Sequence, residues 1–263
     1  MVSNRLVNNC PVTLDDINRA AQIYGPSLAA LKGKTTRVAP SPVVTDYVKV
    51  LKDILQKNKD ITIAGDVFFV NKIPFFATIS CHLKFTTVQS LQNRTHVQLT
   101  ECVKTVKHMY ANRGFKVNTA LMDGEFEPLR DNMTELDVGL NTTAANEHVP
   151  EIERHTKTIK ERTHAGRSTL PFKFIPKLMM IHLVYNAVLW LNTFPPKGGV
   201  STTVSPRTLM TGQYIDYNKH CCIPFGQYVQ VHEENSPTNT LHAQTVGATC
   251  LGPKMIVKAA TNF

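Results

Sequence analysis

The sequence predicts an α/β fold with a mixed five-stranded sheet flanked by helices, in which the first three strands are antiparallel. Three runs rich in Val, Ile, Phe and Thr follow one another closely at 61–70, 74–80 and 82–88, which is typical of consecutive antiparallel strands. After them, helical and strand patterns alternate, as they do where crossover helices join strands. The apolar fraction of 42% in a chain of 263 residues is enough to bury a core.

Local signals place the individual elements along the chain. Thr13 predicts the start of a first helix and Gly25 its end, which gives a helix over 14–24. Asn71-Lys72 predicts a tight turn between the first two strands. Apolar residues at helical spacing, closed by Gly114, predict a helix over 97–112. The remaining predictions are strands at 116–122 and 139–143 and helices at 127–136, 150–164 and 174–191.

The predicted order of elements is that of the RNase H-like fold. Three strands are followed by a helix, a strand, a helix, a strand and a helix between residues 61 and 164. We therefore predict a short helical N-terminal segment and linker at 1–42 and an RNase H-like core at 43–193. Residues 194–263 have few clear periods, which predicts an irregular C-terminal extension that is truncated from a longer protein.

Charge and cysteine usage limit the class of partner and the compartment. The 29 Lys and Arg against 20 Asp and Glu give a formal charge of +9, which favours a polyanionic partner such as nucleic acid. The six cysteines form no C-x-x-C pair, so we expect reduced thiols in an intracellular protein. Lys177, His182 and Asn186 interrupt the longest apolar run, so we expect no membrane span.

Two aspartates stand where a metal site would need them. Asp66 lies in the middle of an apolar strand, where a charge is costly unless it has a salt-bridge partner or a metal ion. Asp123 directly follows the predicted strand 116–122, at the end of the sheet where ligands bind, although a simple Asp-Gly turn is the alternative. Two-metal phosphoryl transfer needs several carboxylates that converge from different elements, because hard cations prefer oxygen ligands.

A third acid is expected near or on the helix that follows the fifth strand. The candidates are Glu147, Glu151 and Glu153. Residues at i, i+4 and i+7 share one face of a helix, so Glu153 lies in line with Lys157 and Lys160, two cations able to hold DNA phosphates. Glu151 has no lysine at these spacings. A solvated ion pair between Glu153 and Lys157 is the alternative interpretation.

The same helix and the residues after it are rich in cations. We expect this segment to follow a phosphate backbone, with an affinity for nucleic acid that falls as salt rises. A basic face that contacts only solvent is the alternative. The predicted nucleic-acid-binding residues are Arg154, Lys157, Lys160, Arg162 and Arg167.

Four motifs within residues 61–226 resemble the integrase of copia-type LTR retrotransposons. They are Gly65-Asp66, Met122-Asp123-Gly124-Glu125-Phe126, Glu147-His148-Val149-Pro150-Glu151-Ile152-Glu153-Arg154 and Ser205-Pro206-Arg207-Thr208. The resemblance implies a D,D,E triad of Asp66, Asp123 and Glu153 that holds two Mg²⁺ or Mn²⁺ ions. The zinc module that usually precedes the core in this family is not expected, because the first 60 residues contain no histidine and a single cysteine, Cys10.

The resemblance also implies a reaction and partners. Integrases of this family trim the 3′ ends of element DNA and then join the resulting 3′-hydroxyl to a target strand. Element ends and target DNA are therefore the expected partners, with a homo-multimer and other parts of the polyprotein as further ones. The expected location is the nucleus or a virus-like particle.

Two other functions use the same core. A nuclease that cuts RNA in hybrids would use the same acids. A catalytically decayed remnant would bind nucleic acid through the basic residues without metal. The basic helices downstream of the acids and the Ser205-Pro206-Arg207 motif favour an integrase over a nuclease.

Overall fold

The computed structural model describes residues 10–33, 47–142, 149–232 and 243–253. The chain divides into two units. The larger unit comprises Val44–Gly226 and Leu251–Phe263, and the smaller comprises Met1–Val43 and Gln227–Cys250. The predicted candidate acid Glu147 lies outside the described residues.

A mixed five-stranded sheet forms the centre of the larger unit. Its strand order is β3-β2-β1-β4-β5. The first three strands pair antiparallel, whereas β4 runs parallel to both β1 and β5. This order and pairing define an RNase H-like sheet, so the predicted fold class is confirmed. The strands are β1 Asp60–Val70, β2 Ile73–Ser80, β3 Thr86–Ser90, β4 Lys116–Met122 and β5 Gly139–Thr142.

The turn between β1 and β2 agrees with its prediction, whereas the turn between β2 and β3 is longer than predicted. Asn71 and Lys72 both adopt positive φ, at 50° and 65°, as the two-residue hairpin turn between β1 and β2 requires. The third strand was predicted from residue 82, but it begins at Thr86. Ser80 explains the late start, because its carbonyl accepts from the amide of Lys84 and its hydroxyl accepts from the amide of Phe85.

Helices cover both faces of the sheet. One face packs against α4, His96–Ala111, whose Val103 and Val106 are fully buried. The other face packs against α6, Pro150–Ser168, and α7, Lys177–Thr193. Alternate residues of β1 point to the two faces. Each fully buried aliphatic side chain contributes about 1.5–3 kcal/mol to this two-sided core.

The region between β4 and β5 differs from its prediction. A single helix was predicted at 127–136, but the chain forms a 3₁₀ turn, Gly124–Leu129, and then α5, Arg130–Glu135. Pro128 lies inside the 3₁₀ turn, and it lacks the N–H that would bond to the Gly124 carbonyl if one α-helix ran from Gly124 to Glu135. A further short helix, α3 Lys52–Lys57, precedes β1 and was not predicted.

Helix α7 covers the edge of the sheet at β3. Asn192 accepts a hydrogen bond from the Thr86 amide at 2.9 Å and donates one to the Thr86 carbonyl at 2.7 Å. Tyr185 accepts from the amide of Ser90 at 3.0 Å. These side chains therefore satisfy backbone groups of β3, which is an edge strand of the sheet formed by the described residues.

Two short helices follow α7, in the region where the sequence predicted irregular structure. They are α8, Pro206–Thr211, and α9, Tyr217–His220. Ser205 caps α8, because its side chain accepts from the amide of Thr208 at 3.1 Å. The Ser205-Pro206-Arg207-Thr208 motif is thus a capped helix start, and Leu209 of the same helix joins the core cluster that contains α4 residues.

The described residues of the smaller unit form two helices and a pair of strands. Helix α1, Leu14–Tyr24, has the predicted bounds and begins with a capping box between Thr13 and Asp16. Helix α2, Leu28–Gly33, lies within the predicted N-terminal segment and linker at 1–42. Strand β6, Tyr228–His232, pairs antiparallel with β7, Thr245–Thr249. In neither unit does a described helix have the length and apolar character needed to cross a membrane.

Candidate metal and nucleic-acid site

The register of two parallel strands places Asp66 beside Asp123. Gly65 of β1 pairs with Met122 of β4, so the two aspartates are the next residues along the adjacent chains. Adjacent strands are about 4.8 Å apart. Asp123 keeps an extended backbone, with φ −68° and ψ 162°, so it continues the alternation of β4. The two carboxylates therefore leave neighbouring strands at the same level of the sheet.

The two aspartates belong to the face of the sheet that α6 covers. Asp66 lies between Ala64 and Phe68 in the alternation of β1, and both of these residues are buried in the cluster that contains Ile152 and Ile159 of α6. Leu121, two residues before Asp123, packs against the same cluster. Helix α6 therefore begins close to both aspartates.

The pKa of Asp66 shows which charged groups lie near its carboxylate. Burial is the main cause that raises the pKa of Asp66 to about 6, and the negative charges of Asp123, Glu125 and Glu153 raise it further. A hydrogen bond from the backbone of Val67 opposes this rise. Asp123, Glu153 and Glu125 therefore all lie within electrostatic range of Asp66.

Glu125 is a site residue that the sequence analysis did not single out. It lies in the 3₁₀ turn directly after Asp123 and pairs with Arg94, with 3.9 Å between Nη1 and Oε2. Both side chains are about half exposed, so this ion pair is weak. Glu125 stood within the Asp-Gly-Glu-Phe motif, and its adjacency to Asp123 was the available signal.

Glu151 has a different environment from Glu153. Its carboxylate accepts from Lys84, which lies in the turn between β2 and β3. Glu151 also lies next to Cys81, where burial first and the glutamate second raise the pKa of the thiol to about 11. Because Glu151 is held by Lys84 and Glu153 acts electrostatically on Asp66, the contacts favour Glu153 as the third acid.

His155 makes a second contact between α6 and the sheet, next to the Glu151–Lys84 pair. Its Nε2 lies 2.6 Å from the Thr86 hydroxyl, and burial lowers the pKa of His155 to about 4. Glu151 and His155 are four residues apart and share one side of α6. This side docks on the β2–β3 turn, and the docking fixes the rotation of the helix that carries Glu153.

The five predicted nucleic-acid-binding cations do not share one face of α6. At about 100° per residue, Lys157, Lys160 and Arg167 fall within about 40° of the direction of Glu153. Arg154 is about 100° away and Arg162 about 180° away. The ammonium of Lys160 lies 5.9 Å from the centre of the Phe68 ring, which places this lysine near the aspartates.

Two of the other four basic side chains, Arg154 and Arg167, have local hydrogen-bond partners. Arg154 donates to the Pro150 carbonyl within its own helix at 3.1 Å. Arg167 donates to the Lys173 carbonyl at 2.8 Å, which ties the end of α6 to the segment that leads to α7. Lys157 and Arg162 are exposed on the helix surface.

The donor set fits Mg²⁺ in its chemistry, although the acids do not form a closed cage. Among the described residues, no group of three or more His, Cys, Asp or Glu side chains is placed to hold a metal ion. Mg²⁺ is usually bound by one or two carboxylates and completes its shell with water and substrate phosphates. Asp66 and Asp123 on adjacent strands meet this requirement for oxygen ligands.

The fold and the site define a class of protein: an RNase H-like sheet with one acid inside β1 and a second acid directly after the adjacent strand β4. No family profile and no curated protein matches the sequence. The catalytic core domain of BIV integrase is similar to this chain with a TM-score of 0.42 and 15% identity, over 57% of this chain and 92% of that chain. The HTLV-2 integrase catalytic core domain, solved with magnesium in a trimeric form, is similar with a TM-score of 0.43 and 14% identity, over 57% and 95%.

Proposed function

We propose that this protein is a metal-dependent integrase of the copia type, which processes the 3′ ends of DNA and joins them to a target strand. The observation that carries the proposal is the register of β1 and β4, which puts Asp66 beside Asp123 at the point where β4 ends. The electrostatic effect of Glu153 on Asp66 supports a third acid in the same place.

Each acid has a distinct structural role in this proposal. Asp66 and Asp123 would hold one divalent cation between neighbouring strands, and Glu153 would contribute from the first turn of α6. Bound cations would supply charge neutralisation at phosphorus and would favour ionised water or 3′-hydroxyl as the nucleophile. Lys157 and Lys160 would hold the DNA backbone beside the acids, since they share the face of Glu153.

The proposed substrate is a DNA end together with a target strand. The positive charge of the chain, +9, supports a polyanionic partner. A homo-multimer, association with other parts of a polyprotein, and a nuclear or virus-like-particle location belong to the same proposal.

A non-catalytic nucleic-acid-binding protein is the second candidate. It is favoured by the open arrangement of the acids, which form no closed metal-binding group in the described part of the chain. In this alternative the basic side chains of α6 would bind nucleic acid, and the acids would have no catalytic role.

Strand transfer with a labelled DNA end in Mg²⁺ tests the proposal. Wild type is expected to join the end to a target duplex, and Asp66→Asn is expected to lose this activity by on the order of 100-fold or more. Asp131→Asn on the exposed surface of α5 is the matched control and should retain wild-type activity. The same background in wild type and Asp66→Asn would support the non-catalytic candidate, and cleavage of RNA in a hybrid without DNA joining would support a nuclease.

A further inference from the structure

Phe69 presents an aromatic ring on the surface of β1. It is 47% exposed, whereas its neighbour Phe68 is 3% exposed. Strand alternation places Phe69 on the face of Val67, opposite to the face of Asp66. A single exposed apolar residue is ordinary in a soluble protein, so exposure alone does not identify a binding site.

Arg94 supplies a second component beside this ring. Its guanidinium lies 5.6 Å from the centre of the Phe69 ring, within the range of a cation–π contact. Arg94 also makes the weak 3.9 Å pair with Glu125. Neither contact buries the guanidinium, so Arg94 is able to exchange Glu125 for a phosphate at little cost.

The backbone that carries Arg94 is held in place by its neighbours. The Asn93 amide donates to the Gln98 side chain at 3.0 Å, and the Thr95 hydroxyl donates to the Asn93 side chain at 2.9 Å. Thr95 also caps α4. The first turn of α4 has no acidic residue, so its N-terminal partial charge adds to the positive potential around Arg94.

Phe69 follows Asp66 along β1 beyond the point where the pairing with β4 ends, so a DNA strand bound at the acids would reach the opposite face, and this ring, by passing the end of β4. It is three residues after Asp66, which corresponds to about 10 Å along β1. Three stacked nucleotides of one strand span about the same length. Glu125 lies between the acids and the Phe69–Arg94 pair, because it pairs with Arg94 and acts electrostatically on Asp66.

We propose that Phe69 and Arg94 form a stacking site for an unpaired base next to the phosphate that reacts at the acids. The ring of Phe69 would stack on the base, and Arg94 would bind the phosphate of the same nucleotide. Aromatic rings bind unpaired bases with little sequence preference, because every base has a π face. The inference rests on the proposed function, since it concerns how the same DNA end is held.

Fluorescence anisotropy in EDTA tests the stacking site without any cleavage of DNA. The probes are a labelled blunt duplex of about 20 base pairs and the same duplex with three unpaired thymidines at its 5′ or its 3′ end. Wild type is expected to bind at least one tailed duplex more tightly. Phe69→Ala is expected to reduce affinity for that duplex by about 5- to 100-fold, and Phe69→Trp to retain it.

Arg94→Gln separates the charge of the site from its ring. This substitution is expected to weaken binding of the tailed duplex and to reduce the slope of log affinity against log salt by about one. Phe174→Ala is the matched control, because Phe174 is 84% exposed and also has a lysine ammonium, that of Lys173, 5.8 Å from its ring. The control is expected to bind the tailed duplex as wild type does.

The outcomes separate the stacking site from the proposed function. Equal affinity of wild type for blunt and tailed duplexes would overturn the stacking site while DNA binding stands. Equal losses in Phe69→Ala and Phe174→Ala would also overturn it, since the loss would then reflect any exposed ring. If wild type binds none of the duplexes, the result contradicts the proposed function itself. Circular dichroism of Phe69→Ala verifies that the variant is folded.

Discussion

The carboxylate of Asp66 occupies a place in β1 that disfavours its charge. Burial contributes most to this effect, and the negative charges of Asp123, Glu125 and Glu153 add to it. An uncharged residue at position 66 would make the folded, metal-free protein more stable, because no charge would then be buried. A group that destabilises its own surroundings in this way is typical of functional sites, where activity and stability compete.

Glu151 and Glu153 give a matched pair of substitutions. Glu153→Gln is expected to lose Mg²⁺-dependent strand transfer by on the order of 100-fold. Glu151→Gln is expected to retain transfer within a few-fold but to lower the melting temperature by about 2–4 °C, because Lys84 loses its partner. Activity assays and thermal melts of both variants provide the comparison. The opposite pattern would assign the third acid to Glu151.

Single residues were predictable where they broke a local pattern. Asp66 interrupts an apolar run, and this made it detectable from sequence. The Lys84–Glu151 contact joins residues 67 positions apart, and no local pattern encodes it. Glu125 was overlooked for a related reason, because an exposed acid after a turn is ordinary until its distance from Asp66 is known.

At the scale of elements, helix α6 has two functional sides. One side carries Glu151 and His155 and docks on the β2–β3 turn and on Thr86. The other carries Glu153, with Lys157 and Lys160 exposed along it. The docking contacts therefore determine which residues of the helix face the acids of the sheet.

Lys157 and Arg162 test this two-sided arrangement. Lys157→Gln is expected to reduce the slope of log affinity for duplex DNA against log salt by about 0.9, because one phosphate contact is lost. Arg162→Gln, on the opposite side of α6, removes the same charge and should leave the slope unchanged. Filter-binding titrations at several salt concentrations measure both. Equal slopes for the two variants would mean that α6 binds DNA without a preferred side.

Elements with a repeating pattern were predicted, and those set by single contacts were not. β4 and α1 have the predicted bounds because their apolar spacing and flanking residues are local signals. The late start of β3 depends on Ser80, whose side chain and carbonyl take the backbone groups of the turn. Helix α8 has six residues, which is too short for its periodicity to be read from sequence.

At the scale of the whole molecule, metal binding is expected to change stability. Mg²⁺ that binds the folded acids and not the unfolded chain raises the melting temperature of wild type with increasing concentration. Asp66→Asn is expected to melt at a higher temperature than wild type in EDTA, because the buried charge is removed, and to respond less to Mg²⁺.

Differential scanning fluorimetry across a Mg²⁺ series measures both effects. Asp131→Asn serves as the control for loss of one exposed negative charge, and it should follow wild type throughout. A melting temperature that is independent of Mg²⁺ in wild type would contradict metal binding by the acids.

The side-chain amide of Asn192 affects whether a second copy of the protein can associate at the sheet edge formed by β3. The rim of an open sheet is a template on which a second polypeptide can add a strand, and this is a common route to aggregates. At β3 the backbone groups of Thr86 are already used by Asn192, and Tyr185 takes the amide of Ser90. A second copy that added a strand beside β3 would have to displace these side chains, so this edge is a poorer template for strand addition than a bare one.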